Sequence, residues 1–384
     1  MRGLSLSGLY LHIPFCEHKC LYCDFYSIEH LDGIEQFCSA LTDEIGLYEE
    51  YGGAETVTSV FFGGGTPSLL TPAQLERILR HLHSRFRIDP SCEVTLEANP
   101  GTIDGEKLHA YRSLGINRLS IGVQSFHEDE LRFLTRIHDA AEAREAVRRA
   151  RRAGFDNVNI DLIFALPSQT AERWRSNIRE AIGLGVEHIS AYNLIVEQGT
   201  PLARMVSQGL VAVPPTELEA EMYLWTIDAL RSAGYAHYEV SNYARSGYQC
   251  RHNLAYWRHE NYLGFGPSAH SFRDRRRWWN IANLRTYLDA LSSGRAPVAG
   301  SEHLTPGQIM DESLMLSLRT GELDLRTIGA GDDEERTRRL DDRIRRWESD
   351  GMLVREDHVV RLTDRGFLYC DEIVRLLLPE TAPV

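Results

Sequence analysis

Between Leu9 and Asn193, short apolar runs alternate with longer stretches whose apolar residues recur at helical spacing. This pattern predicts repeated strand and helix units around a parallel sheet. The strand candidates are Leu9 to Ile13, Val57 to Phe62, Glu93 to Glu97, Arg118 to Val123, Val158 to Phe164 and His188 to Asn193, each rich in Val, Ile, Leu or Phe. One intervening helix opens with Thr71-Pro72-Ala73-Gln74, a capping box with proline at the first helical position, and places Leu75, Ile78, Leu79, Leu82 and Phe86 on one face. Another starts at Asp139, turns Ala143, Ala146, Val147 and Ala150 inward, and stops at Gly154. Six such units fit an α/β fold, either an incomplete TIM-like barrel or a doubly wound sheet. In both, chemistry collects at the carboxyl ends of the strands.

The alternation ends near Pro214. A helix over Glu217 to Ser232 leads into an aromatic, glycine-rich stretch from Tyr235 to Trp279, expected to pack against the barrel. A linker-like run, Ser292 to Pro306, precedes helical patterns over Ile309 to Leu318 and Asp333 to Asp350. Two short strands around Asp357 follow, so the end of the chain resembles a winged helix. The expected division is a core barrel over 1–213, an extension over 214–300 and a winged-helix-like α+β domain over 301–384. Arg336, Arg338, Arg339, Arg343, Arg345 and Arg346 lie in this last part with acids interleaved, the usual look of a solvated helix face.

At 384 residues the chain is long enough for two or three domains, and 43% hydrophobic with 25% charged residues excludes a disordered or fibrous protein. A net charge of −13 argues against affinity for nucleic-acid phosphates. No run approaches the roughly 18 apolar residues that span a bilayer, and Met1 to Gly8 has neither n-region nor h-region, so the expected location is the cytoplasm.

Cysteine usage changes the picture. Of 7 cysteines, Cys38, Cys92, Cys250 and Cys370 are scattered, whereas Cys16, Cys20 and Cys23 share the loop after the first strand. Three thiolates in one loop can hold three corners of a cubic iron-sulfur cluster and leave one iron open to a ligand. The alternative is a zinc knuckle completed by His12 or His18, although no second ligand pair accompanies it. Gly63-Gly64-Gly65-Thr66 follows the second strand without the Gly-Lys-Ser/Thr ending of a phosphate loop, and alone it reads as a tight turn. Glu97 and Asp161 sit in apolar strand surroundings, where a carboxylate is costly unless paired, with Arg118 or Arg136 as candidate partners. His252-Asn253-Leu254-Ala255-Tyr256-Trp257 puts an imidazole among aromatic rings, which suits heme iron and equally suits a buried core histidine.

The three-cysteine spacing resembles that of radical S-adenosylmethionine (radical SAM) enzymes, whose barrel fold and cleavage of SAM to a 5′-deoxyadenosyl radical it implies. Tyr10-Leu11-His12-Ile13-Pro14-Phe15-Cys16, Phe62-Gly63-Gly64-Gly65-Thr66-Pro67-Ser68 and Leu119-Ser120-Ile121-Gly122-Val123-Gln124-Ser125-Phe126 together resemble the oxygen-independent coproporphyrinogen III oxidase family. That resemblance implies a 4Fe-4S cluster on Cys16, Cys20 and Cys23. It also implies SAM contacts from Gly64, Gly65, Thr66, Glu97, Gln124, Arg136 and Asp161, with Tyr10 and Tyr22 carried over as well. The His-Asn-x-x-Tyr-Trp pattern is similar to the heme-binding motif of the heme-chaperone branch, which implies heme at His252, Asn253, Tyr256 and Trp257. The oxidase branch has a further cysteine two positions after the third ligand, where Asp24-Phe25 stands here, and a long amino-terminal extension, where nine residues precede Tyr10.

The expected function is therefore a heme chaperone that passes heme to respiratory hemoproteins. The alternatives are coproporphyrinogen decarboxylation and, from another class, a zinc-containing nucleic-acid adaptor. Whether SAM is cleaved stays open, no nucleic-acid partner is expected, and no electron donor is indicated. A homodimer and peripheral membrane association through recipients are both allowed.

Overall fold

The computed structural model describes residues 6–48, 55–327 and 334–378. Met1 to Ser5, Asp333 and the Arg336 side chain lie outside the described residues.

The expected alternation is realised in order. It runs β1 (Leu6–Ile13), α1 (Ile34–Leu47), β2 (Thr56–Gly64), α2 (Pro72–Arg85), β3 (Arg87–Ala98), α3 (Gly105–Ser113), β4 (Arg118–Gln124), α4 (Glu128–Phe133), α5 (Ala140–Arg152), β5 (Val158–Phe164), α6 (Ala171–Gly183) and β6 (His188–Asn193), then α7 (Pro201–Ser207) and α8 (Thr216–Ser232). Both capping boxes form: Thr71 and Gln74 exchange side-chain and backbone bonds at the start of α2, as Asp139 and Glu142 do at α5. The apolar faces of these helices, Leu75, Ile78, Leu79 and Leu82 on α2 and Ala143, Ala146, Val147 and Ala150 on α5, are buried. Each covers strands whose own residues are nearly all buried, as a sheet wrapped by crossover helices requires.

Strand order separates the two candidate architectures. β1 to β6 lie side by side in chain order, all parallel. A doubly wound sheet would reverse direction at a switch point; sequential order is that of a barrel wall. The wall is incomplete. At one edge β1 pairs with β9 (Asn261–Phe265), at the other β6 pairs antiparallel with β8 (Asn242–Ala244). The aromatic stretch therefore extends the sheet at both ends: β7 (Ala236–Glu239) lies outside β8, then α9 (Arg251–Trp257) crosses the molecule, and β9, β10 (His270–Arg273) and β11 (Arg276–Asn280) follow. After α10 (Leu284–Ser292), the linker-like run contains β12 (Val298–His303), paired with β11.

The last segment comprises α11 (Pro306–Arg319), β13 (Glu322–Asp324), α12 (Glu334–Ser349), β14 (Leu353–Glu356), β15 (Val359–Leu362), α13 (Asp364–Leu368) and α14 (Cys370–Leu377). The expected hairpin turns at Asp357, whose φ is 54°, and β13 adds a third strand. Its own small core holds Leu318, Leu323, Ile344, Val360 and Ile373. Arg231 on α8 and Asp364 tie this unit to the barrel at 2.7 Å. Among the described residues no helix is long and apolar enough to cross a membrane.

Candidate functional site

The chain leaves β1 at Ile13 and enters the cysteine loop, which is pinned on several sides. Cys16 N–H donates to the Ile28 carbonyl (2.9 Å), Leu21 N–H to Thr135 Oγ1 (3.2 Å), and Leu202 N–H to the Leu21 carbonyl (3.0 Å). The glycine loop after β2 packs against the same segment: Gly65 N–H donates to Ile13 and Thr66 N–H to Phe15, at 2.8 and 2.7 Å. Both glycines are required. Gly64 has φ 108°, and a Cβ on Gly65 would lie 2.6 Å from the Phe15 carbonyl oxygen. The bare side of Gly65 therefore faces the cysteine loop, and the glycines serve first to bring the two loops together.

Side chains continue this connection. Thr66 Oγ1 donates to Cys16 Sγ (3.5 Å), Asn99 Nδ2 to Thr66 Oγ1 (3.0 Å), Arg136 Nη2 to Asn99 Oδ1, and Arg136 Nη1 to Cys20 Sγ (3.4 Å). Asn99 thus joins two of the three thiols through Thr66 and Arg136. Sequence reasoning missed it, although it sits just past β3, where the strand-end rule points. Among the described residues no three His, Cys, Asp or Glu side chains converge on a point where a single ion would sit.

All of the site residues expected from the sequence except Trp257 line one cavity of about 730 Å³. Side chains from each of the six parallel strands reach it, Tyr10, Phe61, Glu97, Ser120, Asp161 and Ser190 among them. The sheet curls far enough for its strand ends to share one chamber. Gln124 ends β4 with φ 68°, an uncommon conformation for a residue with a side chain, at the point where the chain turns into the chamber.

Glu97 keeps access to the chamber yet is surrounded by protein. Burial, with Asp161 nearby, pushes its pKa up to about 8, against the hydrogen bond it accepts from Gly64 N–H. Burial also raises Asp161, which accepts from Ser120 Oγ (3.2 Å) and Asn159 Nδ2 (2.8 Å). Arg118 acts on Glu97 only as a weaker, opposing charge that lowers its pKa. Glu97 is a carboxyl held near neutrality in a cavity, ready to ionise when a cation arrives.

His252 on α9 is 1% exposed. Its ring stacks on Phe61 with centroids 5.1 Å apart. Ser59 Oγ donates to the Ser7 carbonyl and so accepts from His252 Nδ1 (2.9 Å), which leaves Nε2 to accept from the Tyr256 hydroxyl (2.9 Å) one turn along. Burial, helped by Arg118, lowers its pKa to about 3, so the ring is neutral. The nitrogen that would ligate iron is covered by Tyr256. Tyr256 also borders a second cavity of about 640 Å³. Asn253 faces the first chamber, and Trp257 lines neither.

Residues 10–181 match the radical SAM superfamily. The chain is 38% identical over 376 residues to the heme chaperone HemW of Mycobacterium tuberculosis, covering 97% of this chain and 94% of that one. It is 33% identical to the HemW of Bacillus subtilis, covering 98% and 100%. Its fold is similar to that of coproporphyrinogen III oxidase (HemN) from Escherichia coli, with a TM-score of 0.84, 24% identity and coverage of 98% of this chain and 90% of that one.

Proposed function

The chain belongs to the heme chaperone HemW family within the radical SAM superfamily, and from that premise we propose that it binds heme and delivers it to respiratory hemoproteins. A 4Fe-4S cluster and SAM are its resident cofactors. The observation that carries the reading is the shared chamber: thiols, glycine loop, carboxylates and His252, Asn253 and Tyr256 of the α9 motif line one cavity.

The residues fit these groups. Cys16, Cys20 and Cys23 would hold the cluster, with Thr66 and Arg136 donating to two of the sulfurs, contacts that tune a cluster's potential. Gly64 to Thr66 would face the methionine end of SAM, and Glu97, Gln124 and Asp161 the rest, with Tyr10 and Tyr22 as flanking walls. Bound together, cluster and SAM supply a one-electron route to cleaving SAM. The protein's part is to orient SAM, hold Glu97 ready to ionise, and keep the thiols inside a hydrogen-bonded frame. On α9, His252 fixes Tyr256 in the partition between the cavities, and the motif supports heme binding through that partition.

Coproporphyrinogen oxidation is the competing activity on this fold. Phe25, in place of the oxidase branch's additional cysteine, borders both cavities beside Asp24 and puts a phenyl ring where that branch has a thiol. The test is an anaerobic incubation of the cluster-loaded protein with coproporphyrinogen III, SAM and a reductant, beside a heme titration. One heme per chain and no protoporphyrinogen are expected. Turnover without heme binding would establish an oxidase instead.

A further inference from the structure

The reading above leaves one buried polar network without a role, and a histidine stands at its centre. His188 opens β6, is 0% exposed, and lies in register with Asn159 on β5. Its Nδ1 is 2.6 Å from Asn159 Oδ1, and its Nε2 is 2.7 Å from the Tyr238 hydroxyl on β7. Burial, with the Arg118 charge nearby, holds its pKa well below the ordinary histidine value, so the ring is neutral and carries a proton on one nitrogen.

The partners decide where that proton sits. Asn159 turns its Nδ2 to Asp161 Oδ1 (2.8 Å) and Ser120 Oγ (2.7 Å), so its Oδ1 faces His188 and must accept. His188 therefore donates from Nδ1, and its Nε2 accepts from the Tyr238 hydroxyl. The Tyr238 oxygen in turn accepts from the N–H of Cys250, the residue that caps α9, at 3.3 Å. Every bond points the same way: Cys250 to Tyr238, Tyr238 to His188, His188 to Asn159, Asn159 to Asp161. Such a chain is polarised along its length by the state of the carboxyl on which it ends. Asp161 lines the chamber at one end, and the helix that carries His252, Asn253 and Tyr256 stands at the other. The strand that bears Glu97 holds the same helix end, for Glu93 Oε1 accepts from Arg251 N–H (2.9 Å) and His252 N–H (3.3 Å). Both strands that supply the chamber's carboxyls thus reach the amino end of α9.

We propose that His188 is a positioning residue that couples heme binding to SAM binding, passing the state of Asp161 through Tyr238 to the amino end of α9. The inference rests on the chaperone reading and adds the connection between its two ligands. A donor group of SAM at Asp161 competes with Asn159 for the carboxyl, and the chain adjusts as far as Cys250. Linkage of this kind is reciprocal: SAM changes heme affinity by the same factor as heme changes SAM affinity.

The cluster-loaded chain, without reductant, is titrated with hemin with and without saturating SAM, and with SAM with and without hemin. Wild type should show one factor in both directions, at least about fivefold. Tyr238→Phe removes a single hydroxyl from the chain and should bring both factors close to unity with iron content unchanged, and His188→Gln should do the same. A purely structural role would change an affinity and leave the factor. Backbone amide exchange supplies a readout that needs no heme: SAM should alter exchange over residues 250–257 in wild type and not in Tyr238→Phe. Heme bound equally well with and without SAM, or a factor that survives both substitutions, overturns the inference while the chaperone reading stands. If wild type binds no heme at all, the chaperone reading falls, and amide exchange over α9 that SAM leaves unaltered then overturns the link as well.

Discussion

Glu97 concentrates the electrostatics of the site in one carboxyl. Its pKa of about 8 lies above the ordinary glutamate value because burial and Asp161 penalise the charged form. The free protein therefore carries Glu97 protonated at neutral pH. A ligand with a sulfonium charge favours the ionised form, so binding should release a proton below pH 8. SAM affinity should rise as pH increases toward about 8 and level off above it. Calorimetry in buffers of different ionisation enthalpy would reveal the proton. A charge-assisted contact contributes roughly 1.5 to 3 kcal/mol, so Glu97→Gln should weaken SAM binding about tenfold or more at pH 8.5 and flatten the profile, with the cluster intact. An affinity in Glu97→Gln equal to wild type at every pH would show that Glu97 only supports the strand end.

At the scale of elements, the decisive contact joins the loops after β1 and β2. A Cβ at Gly65 would meet the carbonyl oxygens of Phe15 in the cysteine loop and of Ile13 at the end of β1, at 2.6 and 2.9 Å. Gly65→Ala should therefore cost iron as well as SAM: less iron per chain after anaerobic reconstitution, where a purely SAM-contacting glycine would leave iron unchanged. The sequence foretells the two loops and their positions because strand, cysteine spacing and glycine run are all local patterns. Their mutual packing is invisible to it, since Gly65 meets Phe15 only through the pairing of β1 with β2. The same reasoning separates what else was legible. Buried parallel strands such as Val158–Phe164 and the capped helices announce themselves in hydrophobic runs and caps. The linker-like run that became β12 shows no alternation of apolar residues, and it is a strand because β11 offers an edge. Asn99 was within reach of the strand-end rule.

The molecule as a whole is joined by buried polar contacts that reach far along the chain. Glu44 on α1 is one of them. It accepts from Gly266 N–H (2.7 Å), Asn280 Nδ2 (2.5 Å) and the Tyr287 hydroxyl (2.6 Å), linking the first helix to the end of β9, to β11 and to α10. Burial nevertheless pushes its pKa up to about 7. A raised folded-state pKa means that the stabilisation is fully present below the unfolded value of about 4.3 and is lost as pH rises toward 7. At about 1.4 kcal/mol per pKa unit, the loss is roughly 4 kcal/mol at most. Urea denaturation should show stability falling over that window, and Glu44→Gln should shrink the slope even if it lowers stability at acid pH. A slope unchanged in the variant would place the pH dependence elsewhere.

A chamber shared by the three thiols, the glycine loop and His252, Asn253 and Tyr256 of α9 suits the proposed carrier of heme. Heme transfer to an apo-hemoprotein tests this most directly: the heme-loaded, cluster-containing chain is mixed anaerobically with an apo-cytochrome, and acquisition of the recipient's spectrum is followed with and without SAM. The account predicts transfer of the single bound heme faster than from free hemin at equal concentration. Heme that stays on the chain, or passes no faster than free hemin, would contradict it.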